Sequence, residues 1–252
     1  RDCIMKTVIC GYGRMGHEVE RVLERRGHEI VARIDPHSDA ADHDRPNAGN
    51  LATADVVIEF ADGASVLENA RAYAAAGVPA VVGTTGWTGD FDAVRDVVAE
   101  AGTGYLIGAN FSIGANLFMK IVTDAARLVN RIPDYDLLLH EAHHKHKKDS
   151  PSGTALTLAT KILDQVDRKD TLVTEVLHRA IEENELQVSS VRGGSIPGTH
   201  RLTLDSEADT IEISHVARSR GGFALGAVMA AEWVRERSGF LTVDDFLADL
   251  LT

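Results

Sequence analysis

The chain has 252 residues, 44% of them hydrophobic, 25% charged and 5% aromatic, with a formal net charge of −12. That length buries a sizeable core in one large domain or two modest ones, while the acidic balance and the few aromatics argue against nucleic-acid binding. Two cysteines, no run of ~18 apolar residues and no signal-peptide pattern argue against a disulfide framework and a membrane span, and point to a reducing, cytoplasmic setting.

Residues 1–4, Cys3 among them, precede Met5 and carry no weight in the reading. From Met5 onward, apolar strands alternate with helices. Lys6–Cys10 reads as a strand in which Cys10 is a small buried thiol. A glycine-rich turn follows, then a helix to about Arg26 that Gly27 ends. Strands are predicted at Glu29–Ile34, Ala54–Phe60, Pro79–Val82 and Tyr105–Ile107, with helices at Ser65–Ala76 and Asp90–Ala101. This alternation indicates βαβ units and a parallel sheet.

A lone GxGxxG is weak evidence, but here Gly11, Gly13 and Gly16 follow a strand and open a helix. Asp35 sits at the tip of the next strand, 22 residues after Gly13. That context is the dinucleotide-binding fingerprint. Gly11 makes the tight turn, Gly13 lets backbone reach the pyrophosphate, and Gly16 packs helix on strand. Asp35 accepts hydrogen bonds from the adenosine ribose. Tyr12, Arg14 and Met15 complete the loop. Pro36-His37 follows Asp35 where an arginine would grip a 2′-phosphate, so NADH is the preferred cofactor, with NADPH open through His37 or Arg14. Gly83-Thr84-Thr85-Gly86 and Gly108-Ala109-Asn110-Phe111-Ser112 lie just past strand ends, where an open parallel sheet binds its ligand, and are placed to line the nicotinamide half. Their plain alternative is ordinary turn chemistry.

After Ile113 the rhythm changes. A long amphipathic helix runs to about Asn130, and a strand from Tyr135 to about Ala142. Six consecutive His or Lys residues follow, His143 to Lys148, and then a helix from Pro151 to about Val166. Pro151 suits the first helical position, Ser150 the N-cap, and the N–H groups of Ser152, Gly153 and Thr154 then point out of the positive end of the dipole. A cationic cluster running into an open helix start is a pocket for a carboxylate or phosphate. A solvated basic loop is the bland alternative; the Gly-Thr at the helix start argues against it. Residues 172–178, 187–192, 199–205 and 210–217 read as strands without helices between them, so the second half is an α+β domain with an open sheet. Helices Gly222–Glu236 and Val243–Leu251 close the chain.

The chain resembles the bacterial dihydrodipicolinate reductases, now called 4-hydroxy-tetrahydrodipicolinate reductases, of the diaminopimelate route to lysine. The resemblance rests on residues 11–16, 83–86 and 109–112, on Glu141-Ala142-His143-His144 through Lys147 to Pro151-Ser152-Gly153-Thr154, on Val191-Arg192-Gly193-Gly194 with Gly198-Thr199-His200, and on 215–220 with 223–227. It implies a Rossmann-like α/β dinucleotide domain, residues 5–112 plus 220–252. An α+β substrate and oligomerisation domain, 113–219, is inserted with hinges near Ile113 and Arg220. It implies a homotetramer built through the open sheets, and hydride reduction of a cyclic imine dicarboxylate with loss of water. By the match His143 and Lys147 carry the acid–base work, either serving as first donor. A lysine among like charges becomes a better proton donor near neutrality. His144, Gly153 and Thr154 suit the dianion, and Lys145 and Lys148 draw it in. No metal is expected: lysines repel a cation, and adjacent histidines do not match zinc spacings. Two competing readings remain, another nicotinamide-dependent dehydrogenase of an anionic amino-acid-like substrate and a non-catalytic dinucleotide-binding regulator. The latter would be expected to lack the acid–base pair.

Overall fold

The computed structural model describes residues 4–251; Cys3 lies outside them. The chain divides into two compact units, one formed by residues up to Ile113 together with those from Arg220 onward, the other by Gly114–Ser219.

In the first unit β1 (Lys6–Cys10), α1 (Arg14–Arg25), β2 (Glu29–Ile34), the short α2 (Ala48–Leu51), β3 (Val56–Glu59), α3 (Val66–Ala76), β4 (Ala80–Val82), α4 (Phe91–Ala101) and β5 (Gly104–Ile107) follow one another. β1, β3 and β4 are buried on both faces almost throughout because helices cover both, as a parallel sheet requires. One core packs Met5, Ile9, Val19 and Leu23 against Ala227, Val228, Ala231 and Phe246 of the chain's last helices. The other packs Val8, Val57 and Ala80 against Val66, Tyr73, Val94 and Val98 of α3 and α4.

The second unit holds α5 (Ile113–Val129), β6 (Asp136–His143), α6 (Gly153–Leu163), β7 (Thr171–Val173), β8 (Glu185–Arg192), β9 (Thr199–Asp205) and β10 (Thr210–Val216). Its five strands lie in the order β10-β9-β6-β8-β7, with β6, β8 and β7 parallel and β9 and β10 antiparallel. Period-2 alternation sends Leu137, Leu139, Leu202 and Leu204 into a core with Phe118, Val122, Leu158 and Ile162 of the two helices. Leu138, Val191 and Val216 stand on the opposite face, each about half exposed.

After α7 (Gly221–Val234) comes β11 (Gly239–Thr242), then α8 (Val243–Leu250). β11 was not expected from the sequence; it pairs parallel with β5 and makes the first sheet six-stranded, in the order β11-β5-β4-β3-β1-β2. The strand expected over 172–178 stops at Val173. Among the described residues no helix is long and apolar enough to cross a membrane.

Candidate active site

The turn after β1 is built by close approach. Gly11 has φ +87°, and a Cβ there would meet the Phe60 carbonyl oxygen at 2.1 Å; only glycine fits. A Cβ on Gly16 would meet the Gly11 carbonyl at 2.4 Å, whereas Gly13 faces open space. Gly13 is the N-cap of α1 and no side chain caps that start, so its first N–H groups suit a phosphate. Gly13 and Arg14 are exposed. Tyr12 is buried and Met15 packs on the first core, so these two shape the loop and do not reach out of it.

Asp35 stands at the tip of β2 as expected, and its carboxylate is anchored: Oδ2 accepts from Tyr12 N at 2.8 Å and Oδ1 from His37 N at 2.8 Å. Asp35, His37, Gly11, Gly13 and Arg45 line a cavity of about 400 Å³. Arg45 is the cation the sequence reading missed; it sits on the rim in an ion pair with Glu68 at 3.3 Å. Arg33 precedes Asp35 on β2 but is committed to Glu20 and Asp42.

A second cavity, about 380 Å³, is lined by Thr84, Thr85, Gly86, Trp87, Ala109 and Thr242 among others. Thr85 and Ala109 are exposed there. Thr84, Phe111 and Ser112, expected at the cofactor, are buried, and Thr84 still borders the cavity. Thr84 Oγ1 accepts from Ala61 N at 2.9 Å and donates to Glu59 Oε1 at 3.2 Å. Phe111 is 2% exposed in the core, and Ser112 is buried with its N–H on Asn110 Oδ1 at 2.9 Å. With an open helix start, an acidic strand tip and two cavities along the carboxyl ends of the strands, the residues of this unit fit a dinucleotide. Beneath them Glu59, fully buried, accepts from Tyr73 Oη at 2.6 Å and Asn69 Nδ2 at 3.3 Å. Burial raises its pKa to about 7, against those hydrogen bonds.

In the second unit, strand register assembles a buried polar array. β6 places Glu141 opposite His200 of β9, and His143 opposite Arg192 of β8. Glu141, with no exposure, binds His143 Nδ1 through Oε2 and Arg192 Nη2 through Oε1 at 2.8 Å. Burial opposes its ionisation, but Arg192, Ser190 and His143 outweigh that and hold its carboxyl below the usual range. Burial pushes the His143 imidazole down, against Glu141; burial and the neighbouring His143 take His200 down to about 4. The His143 and His200 rings meet edge to face at 5.2 Å, and His200 Nε2 lies 3.1 Å from Ser152 Oγ.

The helix start differs from expectation. Ser152, not Ser150, caps α6: its Oγ accepts from Ala155 N at 3.2 Å, and Pro151 lies outside the helix. The Ser152 N–H is itself taken by Glu141 Oε1 at 3.3 Å, and the Gly153 N–H helps to hold the Asp149 carboxyl low, which leaves the Thr154 N–H as the outward group of the first turn. A Cβ at Gly153 would meet nothing within 4 Å, which makes the approach to it open.

Lys147 is not crowded by cations alone, as its neighbours in sequence suggest. Asp149 Oδ1 lies 2.9 Å from its Nζ, and that pairing holds the Asp149 carboxyl low. His144 Nδ1 is buried without a hydrogen-bond partner among the described residues. His144 and His146 stand apart from the His143 array, their ring centroids 6.3 Å from each other. The atoms that do converge belong to Glu141, His143 and His200, within 4.8 Å of one another. Glu141 is already matched by Arg192 and His143, so this is a hydrogen-bonded acid–base array beside an anion-receptive helix start.

Family models described as dihydrodipicolinate reductase, N-terminus and C-terminus, match residues 5–111 and 114–247. A 4-hydroxy-tetrahydrodipicolinate reductase of Christiangramia forsetii is 38% identical, over 98% of this chain and 99% of its own. One of Methanosarcina barkeri is 37% identical, over 96% and 98%. Among solved structures, a dipicolinate-bound dihydrodipicolinate reductase of Paenisporosarcina sp. TG-14 shares the fold with TM-score 0.73 at 23% identity, covering 95% of this chain and 98% of that one. Both halves of the chain, the glycine loop of one unit and the His-Lys segment of the other, thus match one family in order, and the chain belongs to the dihydrodipicolinate reductases.

Proposed function

We propose that this chain reduces a cyclic imine dicarboxylate to tetrahydrodipicolinate, with loss of water, as a 4-hydroxy-tetrahydrodipicolinate reductase of the diaminopimelate route to lysine. The observation that carries the reading is the start of α6, capped by Ser152, beside the buried His143 array and the Lys147 loop. A dianionic substrate is held there by the helix dipole, His144 and the basic loop. The bound dinucleotide supplies the hydride. The chain's own part is to orient the substrate and move protons. His143 Nδ1 is engaged by Glu141, so Nε2 is the nitrogen that exchanges a proton, and Lys147 Nζ is the second donor.

Asp35 favours NADH, because a 2′-phosphate would stand beside a carboxylate; NADPH is accepted less well. The half-exposed Leu138, Val191 and Val216 on one face of the second sheet support a homotetramer, and the enzyme works in the cytoplasm. The test couples the protein to the synthase that condenses pyruvate with aspartate semialdehyde and follows NADH absorbance. Consumption that needs all components supports the reading. No consumption with either nicotinamide, from folded protein, overturns it.

A further inference from the structure

The array holds more order than two proton-handling groups need. Glu141 binds His143 through one oxygen and Arg192 through the other. The same Arg192 Nη2 donates to the Asp149 carbonyl at 2.6 Å, and the Asp149 carboxylate holds Lys147 Nζ at 2.9 Å. A continuous chain therefore runs from His143 through Glu141, Arg192 and Asp149 to Lys147. Its members come from β6, from β8 and from the loop between β6 and α6.

We propose that Glu141, Arg192 and Asp149 are positioning residues that set His143 and Lys147 in one shared arrangement. The inference rests on the reductase reading above. Glu141 fixes the imidazole tautomer with the proton on Nδ1, which leaves Nε2 as the reactive nitrogen. Arg192 prevents the buried Glu141 charge from standing alone, and by gripping the Asp149 backbone it ties the flexible lysine to the same frame. Gly198 keeps the reactive side open: a side chain there would begin 3.0 Å from His143 Nε2, and its φ of +148° admits only glycine readily. His200, held neutral by burial, packs on the ring without adding a charge. The charged and titratable groups facing His143 are thus Glu141 on its own strand, Arg192 of β8, His200 of β9 and Lys147 of the loop.

The test compares wild type with Glu141→Gln, Arg192→Lys and Asp149→Asn. Misplacing a reacting group by about 1 Å costs on the order of 100-fold, so each variant should lose roughly 10- to 100-fold in kcat while KM moves by less than about threefold. Glu141→Gln should also move the alkaline limb of the kcat/KM profile to lower pH, because the donor imidazole loses the carboxylate that favours its charged form. Nitrogen-15 spectra of the ligand-free protein should show the His143 proton on Nδ1 in wild type and mixed tautomers in Glu141→Gln. Asp149 is exposed, so Asp149→Asn reads the lysine branch even where a change at buried Glu141 unfolds the chain. A wild-type His143 proton on Nε2, or wild-type kcat and pH profile in Asp149→Asn and in every variant that folds, overturns the proposal while leaving the reductase reading intact. Inactivity of wild type itself overturns the reductase reading and leaves the tautomer result to judge the frame.

Discussion

At the scale of single residues, the chemistry is assigned to two side chains. Replacing His143 or Lys147 with Ala should lower kcat by roughly 10²- to 10⁴-fold, the range for a positioned proton donor. The fold should survive, because Glu141 keeps Arg192 and the Ser152 N–H when His143 is gone. The coupled assay checks it, with an NADH titration as control; retention of more than about a third of kcat in both would remove them from that role. Asp35 governs the cofactor. Its two oxygens are pinned, so it cannot turn away from a 2′-phosphate, and like charges ~4 Å apart repel by up to ~4 kcal/mol at an effective dielectric of 20, before salt screens them. NADH should be favoured by about 3- to 30-fold in kcat/KM, and Asp35→Ala should narrow the gap. A tenfold preference for NADPH would refute the argument and direct attention to Arg45 and Arg14. Gly11, Gly13, Gly16 and Asp35 were legible because their spacing is local. Arg192 and His200 lie 51 and 59 residues beyond Glu141, and only strand register makes them its neighbours.

At the scale of elements, α6 shows where local reasoning stopped. Pro151 and Ser150 have the chemistry of a helix start, yet Ser152 also fits the N-cap, and the demand of buried Glu141 for its N–H settles the register. Gly153 then becomes a clean probe, since added atoms meet only open space. Gly153→Val should fold with near-wild-type Tm and lose competitive inhibition by pyridine-2,6-dicarboxylate, whose binding to wild type should weaken as salt rises. Unchanged inhibition in the valine variant would exclude this helix start as the dicarboxylate site. The alternating first half was readable from periodicity. β11 was not, being four residues between two helices, with a stability that comes from its pairing to β5 and not from any pattern of its own. β7 was overextended for the converse reason: apolar residues at 176 and 177 look strand-like but have no partner strand among the described residues.

At the scale of the whole molecule, Glu59 ties stability to pH. The unfolded chain releases its proton near 4.5 and the folded chain holds it to about 7, so between those values the folded state binds more protons and stability falls as pH rises. The loss is complete above that window and amounts to at most about 3 kcal/mol. Glu59→Gln keeps acceptors for Tyr73 and Asn69, so its Tm relative to wild type should climb from acid toward neutral pH; a constant difference would refute the linkage. Light scattering should give a mass four times that of one chain, and Val191→Asp, on the half-exposed sheet face, should lower it. A wild-type monomer would exclude that face as an assembly surface. The order of the strands also sets a timetable. β11 closes the edge of β5, and α7 covers the sheet that β3, β4 and β5 form. About a hundred residues separate Ile113 from Arg220. At ribosomal speeds of about 5–20 residues per second, the nascent N-terminal sheet waits roughly 5–20 s with one apolar face covered only by α1. The inserted unit, a single uninterrupted segment, has no such wait. Apolar strand surface on the nascent chain is therefore left bare mainly in its dinucleotide half, and only until the last helices emerge.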